Sequence, residues 1–124
     1  MHVNVNAPFI LTQYCLPLLR KSQGASIIVT NSTIVAHPNA YWGAYLPANW
    51  AREGLMRMLA LEFDHSAIRI NSVVPGPVQS NIRLQAFPAE DRSKNLQASA
   101  ITPTFLYLLG SASGSVTGQC IQAQ

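Results

Sequence analysis

Hydrophobic positions along the chain alternate between two periods. Between residues 4 and 20, Phe9, Ile10, Gln13, Tyr14, Pro17 and Leu18 recur every three or four positions, which predicts a helix. Pro17 lies inside that pattern, where its ring and missing N–H should kink the helix. "KSQGA", 21–25, predicts the turn that ends it. In "SIIVTNST" the β-branched run Ile27, Ile28 and Val29 predicts a strand covered on both faces. A polar loop is expected over 31–40. Residues 44–63 carry the clearest helical signal. Ala44, Ala48, Ala51, Leu55, Met58, Leu59 and Glu62 step by three or four, and Ala, Leu and Met favour helix. Pro47 fits if it sits in the first turn, where its absent N–H has no partner to lose.

"AIRINSVVPG", 67–76, predicts a second buried strand, ended by Pro75 and Gly76. Residues 77–99 read as polar and irregular with one short helix. "ITPTFLYLLGS", 101–111, predicts a third long helix, and "GQCIQAQ", 118–124, a last short strand. Helix, strand, helix, strand, loop, helix, strand is the order of an α/β fold with a parallel sheet, here of about three strands. No GxGxxG or GxxxGxG stretch is present to cradle a pyrophosphate.

Composition sharpens this picture. At 124 residues the chain is one domain or part of one. Hydrophobic residues make up 48% and charged residues only 10%, against roughly 25% in ordinary soluble domains. So apolar a chain calls for more burial than a small monomer offers, which points to a large interface or a further portion of the protein. The net charge of +3 is spread without a basic run, which argues against a nucleic-acid partner. Cys15 and Cys120 lie far apart in apolar stretches and read as buried reduced thiols. No apolar run reaches the ~18 residues of a membrane span, and no signal peptide is evident, so a cytoplasmic location is expected. His2, His37 and His65 are isolated, so no metal site is expected. "NST" at 31–33 matches a glycosylation triplet without a secretion signal to support it.

Three polar residues stand out by placement. Ser32 follows a buried strand, Tyr45 begins the long helix and Asn4 begins the first. Open α/β sheets hold their ligands at the carboxyl ends of the strands. Ser32 and the Pro75–Gly76 turn should meet at that edge, with Tyr45 approaching from the adjacent helix. Each also has an ordinary reading: Tyr45 as a packing aromatic, Ser32 and Pro75–Gly76 as turn residues, Asn4 as a helix cap.

These segments resemble the short-chain dehydrogenase/reductase superfamily over nearly the whole chain. "VNVNAPF" resembles the family's asparagine segment and "SIIVTNST" its serine strand, with Ser32 thirteen positions before Tyr45, the usual spacing. "WGAY" with "REGLMRMLALE" resembles the tyrosine helix, and "IRINSVVPGPVQS" the strand and turn beside the nicotinamide. "RLQAFPAED" and "TGQCIQAQ" are most like the YciK-type bacterial oxidoreductases. The resemblance implies a partial Rossmann-like three-layer α/β/α fold, residues 1–124 being the C-terminal half of the domain and the phosphate-binding N-terminal half being absent. It implies NAD or NADP as cofactor and a small-molecule carbonyl or alcohol as substrate. Tyr45 would be the general acid/base, Ser32 would polarise the carbonyl, and Asn4 would hold a relay water. Pro75, Gly76, Val78 and Ser80 would line the nicotinamide.

The family's lysine falls at Asn49. A phenol ionises near pH ~10 in water, and a neighbouring cation favours the phenolate. Asn49 sits one turn from Tyr45 on the same face but carries no charge. The resemblance therefore implies little or no turnover by this chain alone, with proton transfer slowed on the order of 10²-fold or more. It also implies an oligomer contact through the 44–63 helix, including Trp50 and Arg57. Two other readings stand beside this one: a non-catalytic module that pairs with a full-length relative through the tyrosine helix and the open sheet edge, and a decayed gene product.

Overall fold

The computed structural model describes residues 1–124. Three parallel strands form one sheet in the order β1 (Ala25–Thr30), β2 (Ile68–Val74), β3 (Cys120–Gln122). The register runs from Ala25 opposite Ile68 to Thr30 opposite Val73, and from Ser72 opposite Cys120 to Val74 opposite Gln122. The helices are α1 (Ala7–Leu19), α2 (Tyr45–Glu62), α3 (Asn81–Ala86) and α4 (Ala98–Leu109). The parallel α/β architecture is the one expected from the sequence. No helix is long and apolar enough to cross a membrane.

Side chains alternate across the sheet. On one face Ala25, Ile68 and Ile70 pack with Met56, Leu59 and Ala60 of α2, and Leu16 and Leu19 of α1 close the edge of this cluster. On the other face Ser26 and Arg69 reach α4. Ser26 Oγ donates to the Leu108 carbonyl at 2.8 Å. Arg69 donates to the carbonyls of Leu108, Gly110 and Ser113 at 3.0, 3.2 and 2.9 Å. A cation thus satisfies the carbonyls that the end of α4 leaves without helical partners.

The central strand β2 is buried almost throughout. Its two fully buried polar side chains, Asn71 and Ser72, survive there because both are hydrogen-bonded. Asn71 donates to the Val116 carbonyl at 2.8 Å and accepts from the Gln119 N–H at 3.0 Å. Ser72 donates to Glu53.

Several expectations change. β1 has α2 against one face and α4 against the other, as expected, but only Ala25 is buried, because β1 is an edge strand with no neighbour on its outer side. The first helix is divided, with a wider π-type turn at His2–Asn6 preceding α1. Asn4 is inside that turn and caps nothing; Asn6 holds the cap position of α1 without a side-chain bond. Pro47 does fall in the first turn of α2. α4 starts at Ala98 rather than 101, and β3 is shorter than 118–124. Both cysteines are free thiols, but Cys15 is half-buried and Cys120 is exposed on the other edge strand.

Candidate active site

The carboxyl ends of β1 and β2 open into a cleft of about 750 Å³. Asn31, Ser32 and Ile34 form one side with Trp42 and Tyr45. Pro75, Gly76, Pro77 and Val78 form the floor, and Ser80, Ile82, Arg83 and Phe87 the far wall. Six of the residues singled out in the sequence thus share one cavity: Ser32, Tyr45, Pro75, Gly76, Val78 and Ser80.

Ser32 leaves β1 in extended backbone and caps the single turn Thr33–Val35, its Oγ accepting from the Ile34 N–H at 3.4 Å. The hydroxyl accepts in this bond and remains free to donate. Its backbone N–H is fixed by Asn31 Oδ1 at 3.0 Å. Asn31 in turn donates to Glu53 Oε2 at 2.9 Å. The same carboxylate accepts from Ser72 at 2.8 Å and, through Oε1, from Arg57 Nε at 3.0 Å. Burial pushes the Glu53 carboxyl up, but the bonds from Ser72, Arg57 and Asn31 outweigh it and hold the group below the ordinary carboxylate range. One carboxylate on α2 therefore ties the ends of β1 and β2 together and sets where Ser32 emerges.

Tyr45 is the first residue of α2 and is 40% exposed. The chain reaches it through a tight turn in which Gly43 takes a φ of 45°, a conformation costly to residues with a Cβ. Trp42 packs tilted against Tyr45 at 5.3 Å between ring centroids, and against Phe87 at 5.7 Å. The Arg83 guanidinium lies 4.5 Å over the Phe87 ring. These aromatics line the cleft beside the Tyr45 ring.

Pro75–Gly76 ends β2 in a turn that only glycine fits. Gly76 has φ 71°, and a Cβ there would come 2.7 Å from the Gln124 amide nitrogen. That amide donates to the carbonyls of Pro75 and Pro77 at 2.5 and 3.1 Å. Ser80 caps α3 by accepting from the Arg83 N–H at 3.3 Å.

The following segment is more ordered than its polar sequence suggests. Val78 bridges Leu96, and Arg83 pairs with Glu90 through two bonds at 2.7 and 2.5 Å. Asn95 adds a third bond to Glu90 at 2.7 Å. The hydrogen bonds from Arg83 and Asn95 hold the Glu90 carboxyl below its usual range, and Glu90 raises the Arg83 guanidinium in return.

Asn4 and Asn49 stand apart from the cleft wall. Asn4 is half-buried in the turn that packs against α2. Asn49 is fully buried, donating to the Tyr45 carbonyl at 2.7 Å and accepting from Arg52 Nη2 at 2.5 Å. Sequence reasoning passed over Asn31, Trp42, Arg52, Glu53, Arg83 and Phe87. A signal existed for one of them, Glu53. Asn49, Glu53, Met56 and Ala60 are spaced by four, three and four, so Glu53 continues the buried face of α2.

Known proteins resemble this chain over its whole length. The family model described as short chain dehydrogenase matches residues 1–91. The uncharacterized oxidoreductase YciK of Escherichia coli K12 is 42% identical over 124 residues, covering all of this chain and 49% of YciK. A crystal structure of a short chain dehydrogenase from Salmonella enterica serovar Typhi superposes with a TM-score of 0.95 at 42% identity, over 98% of this chain and 50% of that one. A Shigella flexneri short chain dehydrogenase complexed with NADP superposes at 0.94 with 41% identity, over 98% of this chain and 51% of its own. The chain spans about half the length of the relatives it matches.

Proposed function

The chain belongs to the short-chain dehydrogenase family, and on that premise we propose that it carries the catalytic and nicotinamide-facing part of an NAD(P)-dependent oxidoreductase acting on a small carbonyl or alcohol. The observation that carries this reading is the single cleft that gathers Ser32, Tyr45 and the Pro75–Ser80 segment. Its apolar floor and glycine turn suit the flat nicotinamide end of a dinucleotide. No glycine-rich segment for the pyrophosphate lies on this chain. The Shigella relative binds NADP, which supports the cofactor class and leaves NAD and NADP both as candidates here.

When bound, the nicotinamide supplies or accepts the hydride. The Ser32 hydroxyl orients the substrate oxygen by donating to it. Tyr45 Oη delivers the proton to that oxygen in reduction and takes it back in oxidation. Asn4 is the proposed holder of a relay water. Asn49, which has no charge and spends its amide on Tyr45 and Arg52, does not supply a cation to the phenol. We therefore expect turnover by the chain alone to be slight, in the cytoplasm as the proposed compartment. The exposed Trp50, Met58 and Leu61 of α2 support an oligomer contact through that helix.

The test joins this chain to the N-terminal half of YciK and follows NADPH consumption with a panel of aldehydes and ketones. The joined protein should turn over, and Tyr45→Phe should remove at least ~10²-fold of the rate. Turnover that survives Tyr45→Phe would show that Tyr45 is not the proton carrier. The pairing-module reading draws support from the exposed Leu11, Tyr14 and Leu18 of α1. It is favoured instead if the joined protein is silent and the free chain forms a mixed complex with YciK on a sizing column.

A further inference from the structure

We propose that Arg52 is the positioning residue that stabilises the ionised form of Tyr45, acting from two turns further along the same face of α2. Seven residues separate the two, which is close to two full helical turns. Asn49 lies between them on that face and links the Arg52 guanidinium to the backbone of Tyr45. Its amide donates to the Tyr45 carbonyl at 2.7 Å, and its oxygen accepts from Arg52 Nη2 at 2.5 Å. The guanidinium is thereby held toward the Tyr45 end of the helix.

Arg52 is also a cation without a counter-ion. It is half-buried, no carboxylate pairs with it, and its Nε is buried with no hydrogen-bond partner. An enclosed, unpaired charge is costly and gains most from an anion that forms nearby. Burial pushes the Arg52 guanidinium down, and the only titratable group that opposes this is Tyr45. Attraction between the two is mutual: a phenolate that favours the guanidinium is favoured by it.

The other charged groups near α2 are already engaged or exposed. On α2, Glu53 is held by Arg57, Asn31 and Ser72, and Glu62 is exposed. On β2, Arg69 is committed to the end of α4. The first turn carries the chain's amino group and His2, which contacts Asn6 at the surface. Across the cleft Arg83 is neutralised by Glu90. β1 and the Thr33–Val35 turn carry no charge. Arg52 is thus the one uncommitted cation on the Tyr45 face.

In reduction the Tyr45 proton passes to the substrate oxygen and leaves a negative charge on Oη. Arg52 would balance that charge from within the helix, without touching the substrate. The inference rests on Tyr45 as the proton carrier, but its test needs no turnover, so either can fail alone. The full chain is labelled with ¹³Cζ-tyrosine, and Tyr45 is assigned by comparison with Tyr45→Phe. Arg52→Gln should move the ionisation of Tyr45 to higher pH while leaving Tyr107 where it was, and Arg52→Lys should restore most of the difference. A Tyr45 titration that does not move in folded Arg52→Gln overturns the proposal. A second reading needs no change at Arg52. In the parent chain the Arg52 Nε–H resonance should shift with the same midpoint as Tyr45 and stay flat in Tyr45→Phe. Equal behaviour of that resonance in both proteins would also overturn it.

Discussion

The two sides of the sheet's first strand pair are built to different standards. On the β2–α2 side, Ile70, Val73 and Met56 are fully enclosed, and the polar groups Asn49, Asn71 and Ser72 are enclosed with them because each has partners. On the β1–α1 side, α1 has no buried residue at all, although its sequence is the more apolar of the two helices. Leu11, Tyr14 and Leu18 are 64, 80 and 72% exposed, and β1 offers an unpaired edge. Local hydrophobicity thus does not decide burial; the number of neighbours does. An apolar face of this kind marks a surface that gains by being covered.

The contrast can be broken by mutation, and the largest effect belongs to Glu53. Glu53→Ala leaves the buried Asn31 amide and Ser72 hydroxyl without their acceptor, at about 1–3 kcal/mol each, and should cost roughly 3–6 kcal/mol in urea unfolding. The same carboxylate should be visible in the pH dependence. It is held below the ordinary range, so the unfolded chain binds the proton more readily than the folded one. Its contribution is complete above the unfolded carboxyl value of about 4.3 and is lost as the pH falls through the folded value. Urea midpoints taken from pH 7 to pH 3 should therefore fall more steeply in the parent than in Glu53→Gln. Parallel slopes would mean that the carboxylate is not the strut the geometry makes it. Next is Met56→Ala, which empties an enclosed site and should cost roughly 2–5 kcal/mol by the same assay. The smallest effect is expected across the sheet: Leu11→Ala should stay within about 0.5 kcal/mol. If Leu11→Ala matched Met56→Ala, the α1 face would be covered in solution and the two sides would be alike.

Much of this was legible in the sequence, and the failures have physical causes. The element order, the parallel sheet and the cleft residues Ser32, Tyr45, Pro75, Gly76, Val78 and Ser80 follow from periodicity, turn chemistry and family resemblance. The buried face of α2 was misdrawn. Ala51, Met58 and Glu62 were expected on it and are exposed, while Asn49 and Glu53 are inside. A hydrophobic stripe cannot register polar groups whose partners come from other elements, and Glu53 gets one of its three from β2 and another from the residue that follows β1. β1 was misjudged for a related reason: Ile27, Ile28 and Val29 record what the strand could bury, not how many neighbours this chain provides. The order of 77–97 was hidden because it depends on pairs such as Arg83–Glu90 and Val78–Leu96, which local pattern does not reveal.

The parallel register also bears on how the molecule comes to be folded. Ala25 must find Ile68, and Ser72 must find Cys120, with a helix formed and laid across the sheet in between. No strand can pair with its sequence neighbour through a tight hairpin, so every sheet contact waits for a long loop to close. Chains whose strands pair only at long range assemble more slowly than helical bundles of similar size. Throughout that interval the apolar edge of β1 is available to other copies emerging from the ribosome, so the concentration of nascent chain, as much as the stability of the finished fold, governs how much of it survives.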